Sequence, residues 1–382
     1  MRVVIVAEQL RRTVPGGIGT YVRGLVKGLG VMGDAGPAIA LWASRAPRNG
    51  ADPLAALALT VTSPLPGTAL VAAWDRGWAG FGGRAGSGAT ATSGGDVDVV
   101  HAPSLAVPPR RGAPVAVTVH DLAWRQVPEA FPARGRRWHE AALARALDRA
   151  SLFVVPSRTT ADALVESGAS AARVEVVDEG SDHLPAPDPV GAGAVLAGLG
   201  VMGPFLLSVG TLEPRKNLSR LVAAYRIARR RLPEPWPLVV VGPQGWGRGP
   251  AHDDGDTTDH HATDGDDGVV LAGWVDDAVL ASLYRQARVV AYVPLLEGFG
   301  LPALEAMAAG TPVVASPMPS LGGAALEVDP CDVGAIADAL VVAATDDAVR
   351  SVLVAAGDRR AASLTWEAAA RAHVDLWGSL RA

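Results

Sequence analysis

Short apolar runs rich in β-branched residues recur along the chain, each closed by a polar or glycine-rich turn. Val3–Ala7, Val115–Val119, Leu152–Pro156, Phe205–Val209, Leu238–Val241, Val289–Pro294 and Val313–Ser316 are the clearest, and Val174–Val177, interrupted by Glu175, reads as the last strand of the first half. Runs that stay apolar without alternating predict strands covered on both faces, as in a parallel sheet flanked by helices. Stretches with helical character follow them: Tyr21–Leu29, the segment after Ser157, Leu218 to about Arg231, Val279–Gln286, Leu304–Ala309 and Val333–Ala344. Ser157 and Asp276 stand where helix caps are expected. This order predicts an α/β protein. The proline-rich run Leu184–Pro189 reads as a linker, dividing the chain into domains 1–184 and 190–365. A final helix, 366–382, with Trp366, Ala370 and Trp377 on one side, is expected to cross back onto the first domain.

Chemistry concentrates between Val289 and Ser316. A strand leads into a loop with Gly298 and Gly300, then a helix with Pro302 in its first turn, then Gly310 and a second strand. The loop amides and the free N–H groups of a helix start suit a phosphate. Glu297 precedes that helix and Glu305 lies inside it. Carboxylates repel phosphate but accept strong hydrogen bonds from sugar hydroxyls. A diphosphate with a sugar at each end would satisfy both, which describes a nucleotide-sugar. The helix dipole alone would explain Glu305, but not Glu297 on the glycine loop.

Glu297, the turn Gly298-Phe299-Gly300-Leu301-Pro302, Glu305 and the run Thr311-Pro312-Val313-Val314-Ala315-Ser316 resemble the Glu-x7-Glu motif of retaining, nucleotide-sugar-dependent glycosyltransferases of the GT-B fold, family four. The resemblance implies two Rossmann-like, doubly wound domains facing a central cleft that holds the donor. It further implies no essential metal and no cofactor beyond the donor substrate. In it Glu305 holds the ribose hydroxyls and Glu297 the transferred sugar. The Gly300-Leu301 amides hold the diphosphate, with Phe299 lining the site.

The first half carries weaker signals. Thr13–Thr20 reads as a glycine loop between strand and helix, and the resemblance turns Gly16-Gly17-Ile18 toward the donor phosphates and the acceptor. Literal G-x-G-x-x-G matches at Gly28–Gly33 and Gly198–Gly203 follow helices instead of opening them, so neither is read as a dinucleotide loop. Gly77–Gly95 is too rich in Gly and Ser to pack and reads as a surface loop. Asp96-Val97-Asp98 marks the exposed start of the strand that continues through His101 and is not read as a metal motif. His120-Asp121 ends a buried strand, where polar residues face the ligand crevice of an open α/β sheet. A neutral His120, its tautomer fixed by Asp121, could donate to a sugar hydroxyl or phosphate, and the resemblance places it near the reaction centre. Arg134, Arg136, Arg137, Trp138 and Arg145 read as a solvated helix face, with a peripheral contact to an anionic membrane surface or a lipid-diphosphate acceptor as the second reading.

In the second half, Gly210-Thr211-Leu212-Glu213-Pro214-Arg215-Lys216-Asn217 follows a strand and precedes a helix. Adjacent cations there suit a diphosphate, and the resemblance assigns Arg215 and Lys216 to it, with Gly210 in the same loop. The resemblance also places the nucleobase against the backbone of Gly273-Trp274-Val275. His252–Gly268 mixes His and Asp without ligand spacing and reads as an acidic insertion, not a metal site. After Ser316 the chain is shorter than its relatives before the next match, which bears on helix geometry near the crevice.

Composition narrows the field. In 382 residues, 49% are hydrophobic and only 5% aromatic, so the cores are built from Val, Leu and Ala. A net charge of -5 argues against nucleic acid as the main partner. The single cysteine, Cys331, leaves no disulfide framework. No apolar run is long enough to span a bilayer, and a cytoplasmic protein, at most touching the inner face of the membrane, is expected. The function expected is transfer of a hexosyl group (mannose- or rhamnose-like) from a nucleoside diphosphate sugar to a glycan, lipid-linked or small-molecule acceptor. A nucleotide-sugar epimerase and a non-catalytic nucleotide-binding partner subunit are the alternatives.

Overall fold

The computed structural model describes residues 1–47, 51–78, 84–85, 97–110, 112–245 and 267–381. Asp96 and nearly all of Gly77–Gly95 and His252–Gly268 lie outside the described residues. The chain divides into two compact units. One comprises Met1–Leu122, Pro132–His183 and Thr365–Ala382, the other Ala123–Phe131 and Leu184–Leu364.

The first unit is built on a sheet of β1 (Arg2–Val6), β2 (Ala38–Ala43), β3 (Leu59–Thr62), β4 (Arg84–Ala85), β5 (Val99–Ala102), β6 (Val115–Thr118), β7 (Leu152–Val155) and β8 (Val174–Val176). Its strand order is 4-3-2-1-5-6-7-8, and among the described residues only β3 and β4 pair antiparallel. The second unit carries β9 (Leu206–Val209), β10 (Leu238–Val241), β11 (Val269–Gly273), β12 (Val289–Tyr292), β13 (Val313–Ala315) and β14 (Leu326–Glu327), all parallel, in the order 11-10-9-12-13-14. Each order reverses direction once, between β1 and β5 and between β9 and β12. Loops at the carboxyl ends of such a pair diverge and leave a crevice, the usual ligand position in open α/β sheets.

The period of two along a strand explains the apolar runs. Leu207, Val290, Tyr292, Val313 and Ala315 join one buried layer, while Leu206, Val289, Ala291, Val293 and Val314 join the opposite one. Both faces are covered, so neither set can be polar. Tyr292 closes β12 on the first of these faces, at the crevice end.

In the first unit the C-terminal helix (Trp366–Ser379) packs on the first helix (Gly16–Val31). Gly24 and Gly28, one turn apart, make the contact possible. A Cβ on Gly24 would lie 2.1 Å from the Trp366 ring, and one on Gly28 2.0 Å from the Trp366 carbonyl oxygen. Gly28 therefore serves close helix packing and no dinucleotide. Beneath it lies a buried polar cluster. The Tyr21 hydroxyl is 2.7 Å from His373 Nε2 and 2.9 Å from Thr118 Oγ1, which is 3.1 Å from His101 Nε2. His373 Nδ1 donates to the Ala369 carbonyl at 2.7 Å, and Trp377 Nε1 donates to His101 Nδ1 at 3.3 Å. Each imidazole thus has one donor and one acceptor nitrogen matched to its partners, the pattern of the neutral ring. Burial pushes His373 down to about 4 and His101 well below the ordinary value, the latter helped by neighbouring His373 and His120.

Three expectations change. The first helix begins at Gly16, so Gly16 and Gly17 form its N-terminus and not a long loop. Gly16 has φ +60°, a conformation open to glycine, which lets the chain turn directly from Pro15 into the helix. Asp276 occupies a cap position, yet its side chain makes no capping bond. Asp188 does cap, accepting from Val190 and Gly191 amides, so the linker run ends in a helix, Pro189–Gly198. Among the described residues no helix is long and apolar enough to cross a membrane.

Two outcomes follow from this packing. Gly28→Ala gains about 1 kcal/mol of helix propensity, but forces a methyl onto a backbone carbonyl, which overpacking data put at about 1–3 kcal/mol or more. Urea titration should show net destabilisation. The buried neutral histidines favour the folded state fully above the unfolded value near 6.5, and this contribution is lost as pH falls toward 4. His373 alone should remove about 2 kcal/mol of unfolding free energy between pH 7.5 and 5; equal stability at both would contradict the neutral assignment.

Candidate active site

The reversal between β9 and β12 sets two loops side by side in the second unit. From β9 the chain passes Gly210 into a single turn, Pro214–Lys216. A Cβ on Gly242, which has φ +151°, would sit 2.0 Å from the Gly210 oxygen, so backbone touches backbone there. Asn217 ends the turn at φ 60°, a left-handed conformation that Asn tolerates better than most residues. Its Nδ2 donates to the carbonyls of Val293 (3.0 Å) and Pro330 (2.7 Å), tying the β9 loop to the end of β12. The Leu295 amide donates to the Arg215 carbonyl at 2.9 Å.

The tie presents two cations to Glu297. Its Oε1 accepts from both Arg215 and Lys216, the latter at 2.6 Å. Arg215 also donates to the Leu296 carbonyl at 3.1 Å and to Glu213 Oε1 through Nε at 3.2 Å. Lys216 Nζ donates to the Tyr292 hydroxyl at 2.9 Å. All of these side chains are largely buried. Burial opposes the charge on Glu297, but Arg215 and Lys216 outweigh it and hold its carboxyl below the usual range. At Glu213 burial wins over the same cations and raises the value. Burial, aided by Glu297, pushes the Tyr292 hydroxyl well up, so it stays protonated.

The helix Leu301–Ala308 begins beside this cluster. Gly300 takes φ +89° before it, and a Cβ there would meet Met318 Sδ at 2.6 Å. Among the described residues the amides of Gly300 and Leu301 meet no acceptor, while Ala303 N–H already serves the Gly300 carbonyl. Glu305 is 7% exposed, and its Oε2 accepts from the Tyr284 hydroxyl at 2.7 Å. Burial and the Glu305 charge raise Tyr284 well above its ordinary value. Val275, Phe299 and Leu301 point into the apolar core, so these positions offer a ligand their backbone. The short segment after Ser316 braces the loop: Ser316 Oγ donates to the Pro294 carbonyl at 2.6 Å, and Ser320 Oγ donates to that of Phe299.

In the first unit, His120 follows β6. Its Nδ1 lies 3.1 Å from Glu179 Oε1 and its Nε2 3.0 Å from the Pro103 carbonyl. Glu179, and not Asp121, thus partners the ring, reaching it from the loop past β8; Asp121 acts on His120 through its charge. Burial pulls His120 down, but Glu179, Pro103 and Asp121 together raise it above its ordinary value. The Tyr21 ring stands edge-on to His120 at 4.9 Å. Open space surrounds the Cβ positions of Gly16 and Gly17. Of the basic stretch, Arg145 pairs with Asp75 at 2.7 Å, while Arg134 and Arg137 are exposed.

Residues 198–359 match the family model described as glycosyl transferases group 1, and residues 15–183 match that of glycosyltransferase family 4. Over 282 residues the chain is 32% identical to the O-antigen chain mannosyltransferase B of Escherichia coli, covering 70% of this chain and 71% of that one. This chain is a group 1 glycosyltransferase. A D-inositol 3-phosphate glycosyltransferase of Kineococcus radiotolerans is 36% identical over 55% of this chain and 52% of its own length. Sucrose-phosphate synthase from Thermosynechococcus elongatus superposes with a TM-score of 0.72 at 22% identity, covering 100% of this chain and 99% of that chain. The Anabaena HepE protein, in complex with UDP and glucose, gives 0.66 at 17% identity over 99% of this chain and 100% of its own. The glycosyltransferase thus has the GT-B fold of two Rossmann-like domains.

Reading residues alone missed Glu213, Asn217, Tyr284, Tyr292 and Glu179 as partners of the site. Tyr292 could have been found as the last residue of a buried strand, at its carboxyl end. The others show no signal until the chain is folded. The buried cluster also alters what a charge deletion does. Arg215→Ala with Lys216→Ala would strand Glu297 without a counter-ion, at a cost of about 3–5 kcal/mol. Chemical denaturation should show that loss, and adding Glu297→Gln should restore much of it; no restoration would mean that the ion cluster contributes little.

Proposed function

We propose that this glycosyltransferase moves a hexosyl group, of the mannose or rhamnose type, from a nucleoside diphosphate sugar to an acceptor hydroxyl with retention of configuration, in the synthesis of a cell-envelope glycan. The observation carrying this is the pair Arg215 and Lys216, held on one carboxylate oxygen beside unpaired helix-start amides. The likeness to an O-antigen mannosyltransferase supports the sugar and the pathway, and the UDP-bound HepE structure supports a nucleoside diphosphate donor.

Phosphate oxygens of the donor take over the Arg215 and Lys216 donors from Glu297 and accept from the Gly300 and Leu301 amides. Glu297, released, accepts from hydroxyls of the transferred sugar. Glu305, already oriented by Tyr284, accepts from the ribose hydroxyls, with the Val275 backbone against the base. The bond between the anomeric carbon and the diphosphate oxygen breaks, the acceptor oxygen bonds the same face, and the acceptor proton passes to the leaving diphosphate. Charge grows on that diphosphate as it departs, and the fixed cations stabilise it in place of a metal. His120 stands at the reaction centre, where donor and acceptor meet.

Thermal melting with GDP, UDP, dTDP or ADP, each with and without magnesium, tests the donor site. A nucleotide at a hundred times its Kd adds about 2.7 kcal/mol of stability. One diphosphate stabilising the protein without magnesium is expected; silence from all four would overturn the proposal. Glu305→Ala should then weaken that nucleotide by about 1.5–3 kcal/mol, and calorimetry showing an unchanged Kd would remove Glu305 from the ribose site.

A further inference from the structure

His120 is strung between a backbone carbonyl, which only accepts, and the carboxyl of Glu179, which only accepts when ionised. The Pro103 carbonyl, just past β5, lies 3.0 Å from Nε2, and Glu179 Oε1, just past β8, lies 3.1 Å from Nδ1. A neutral imidazole has one N–H and would leave one of these contacts as a repulsion between lone pairs. With Glu179 ionised, only the doubly protonated ring satisfies both. Glu179 is 4% exposed, and a carboxylate that deeply buried requires a cationic partner. The other groups facing the ring agree. Asp121 favours the charge, Tyr21 packs at right angles to the ring without a charge of its own, and the charge on His120 in turn helps keep the buried His101 neutral.

We infer that Glu179 is a positioning residue: with the Pro103 carbonyl it locks His120 in one orientation as an imidazolium, so that His120 serves transfer as a fixed cation and not as a proton acceptor. The role in transfer rests on the proposed function, whereas the state of the ring does not. A general base needs a nitrogen lone pair turned to substrate, and neither nitrogen has one. A fixed positive charge instead suits a reaction whose leaving group gathers negative charge.

The test uses the full chain with 15N-labelled histidine, the His120 signals being assigned from the spectrum of His120→Asn. At pH 7.5 both ring nitrogens of His120 should show imidazolium shifts; a neutral-tautomer pattern overturns the inference, and this needs no change at Glu179. Glu179→Gln keeps the shape and removes the charge. It should lower the His120 titration midpoint by about one pH unit or more and move the alkaline limb of kcat down with it. An unmoved midpoint overturns the positioning role. A moved midpoint with turnover lost evenly at every pH overturns the use of the charge in transfer. Imidazolium shifts in a protein that transfers no sugar uphold the ring assignment and count against the proposed function instead.

Discussion

A single buried carboxylate oxygen, Oε1 of Glu297, accepts from two cations that arrive on a different loop. Arg215 and Lys216 extend from a turn whose last residue, Asn217, sits in a left-handed conformation and is tied to the backbone around β12. Glu297 in turn could not stay charged away from water without them. Opposed charge is therefore gathered where the loops after β9 and β12 meet, with one carboxylate oxygen shared between two cations. Preorganisation of this kind needs little rearrangement when a ligand exchanges one anion for another.

Strand order makes the arrangement possible. The loop after β9 and the loop after β12 are far apart in sequence, yet β9 and β12 are neighbours at the point where the sheet reverses direction. The helix that starts at Leu301 adds its free amides at the same edge, and Met318 packs against Gly300 from the shortened segment. That segment is shorter than the resemblance leads one to expect, but Ser316 and Ser320 still bond the loop backbone, so its brevity does not leave the loop unsupported.

The first unit uses a different device. Gly24 and Gly28 remove two side chains so that Trp366 can lie against the first helix. That contact brings His373 and Trp377 down onto Tyr21 and His101. The polar groups sealed in by the contact match one another donor for acceptor, which keeps the cost of burying them low.

Strands buried on both faces were legible as unbroken apolar runs, because a residue facing water on either side would have interrupted them. The helix start with its free amides was legible as well: Gly300, Pro302, Glu297 and Glu305 lie within one short stretch, where local backbone chemistry decides where a helix begins. So was the pair Arg215-Lys216, adjacent in sequence at the end of a strand. Only the folded chain decided which charges meet. Glu179 and not Asp121 holds His120, Tyr284 orients Glu305, and Arg215 divides itself between Glu213 and Glu297. Those pairings join residues distant along the chain or turn on rotamers set by packing. A local motif records what one segment can do, whereas the meeting of two segments depends on strand order and on the side chains between them.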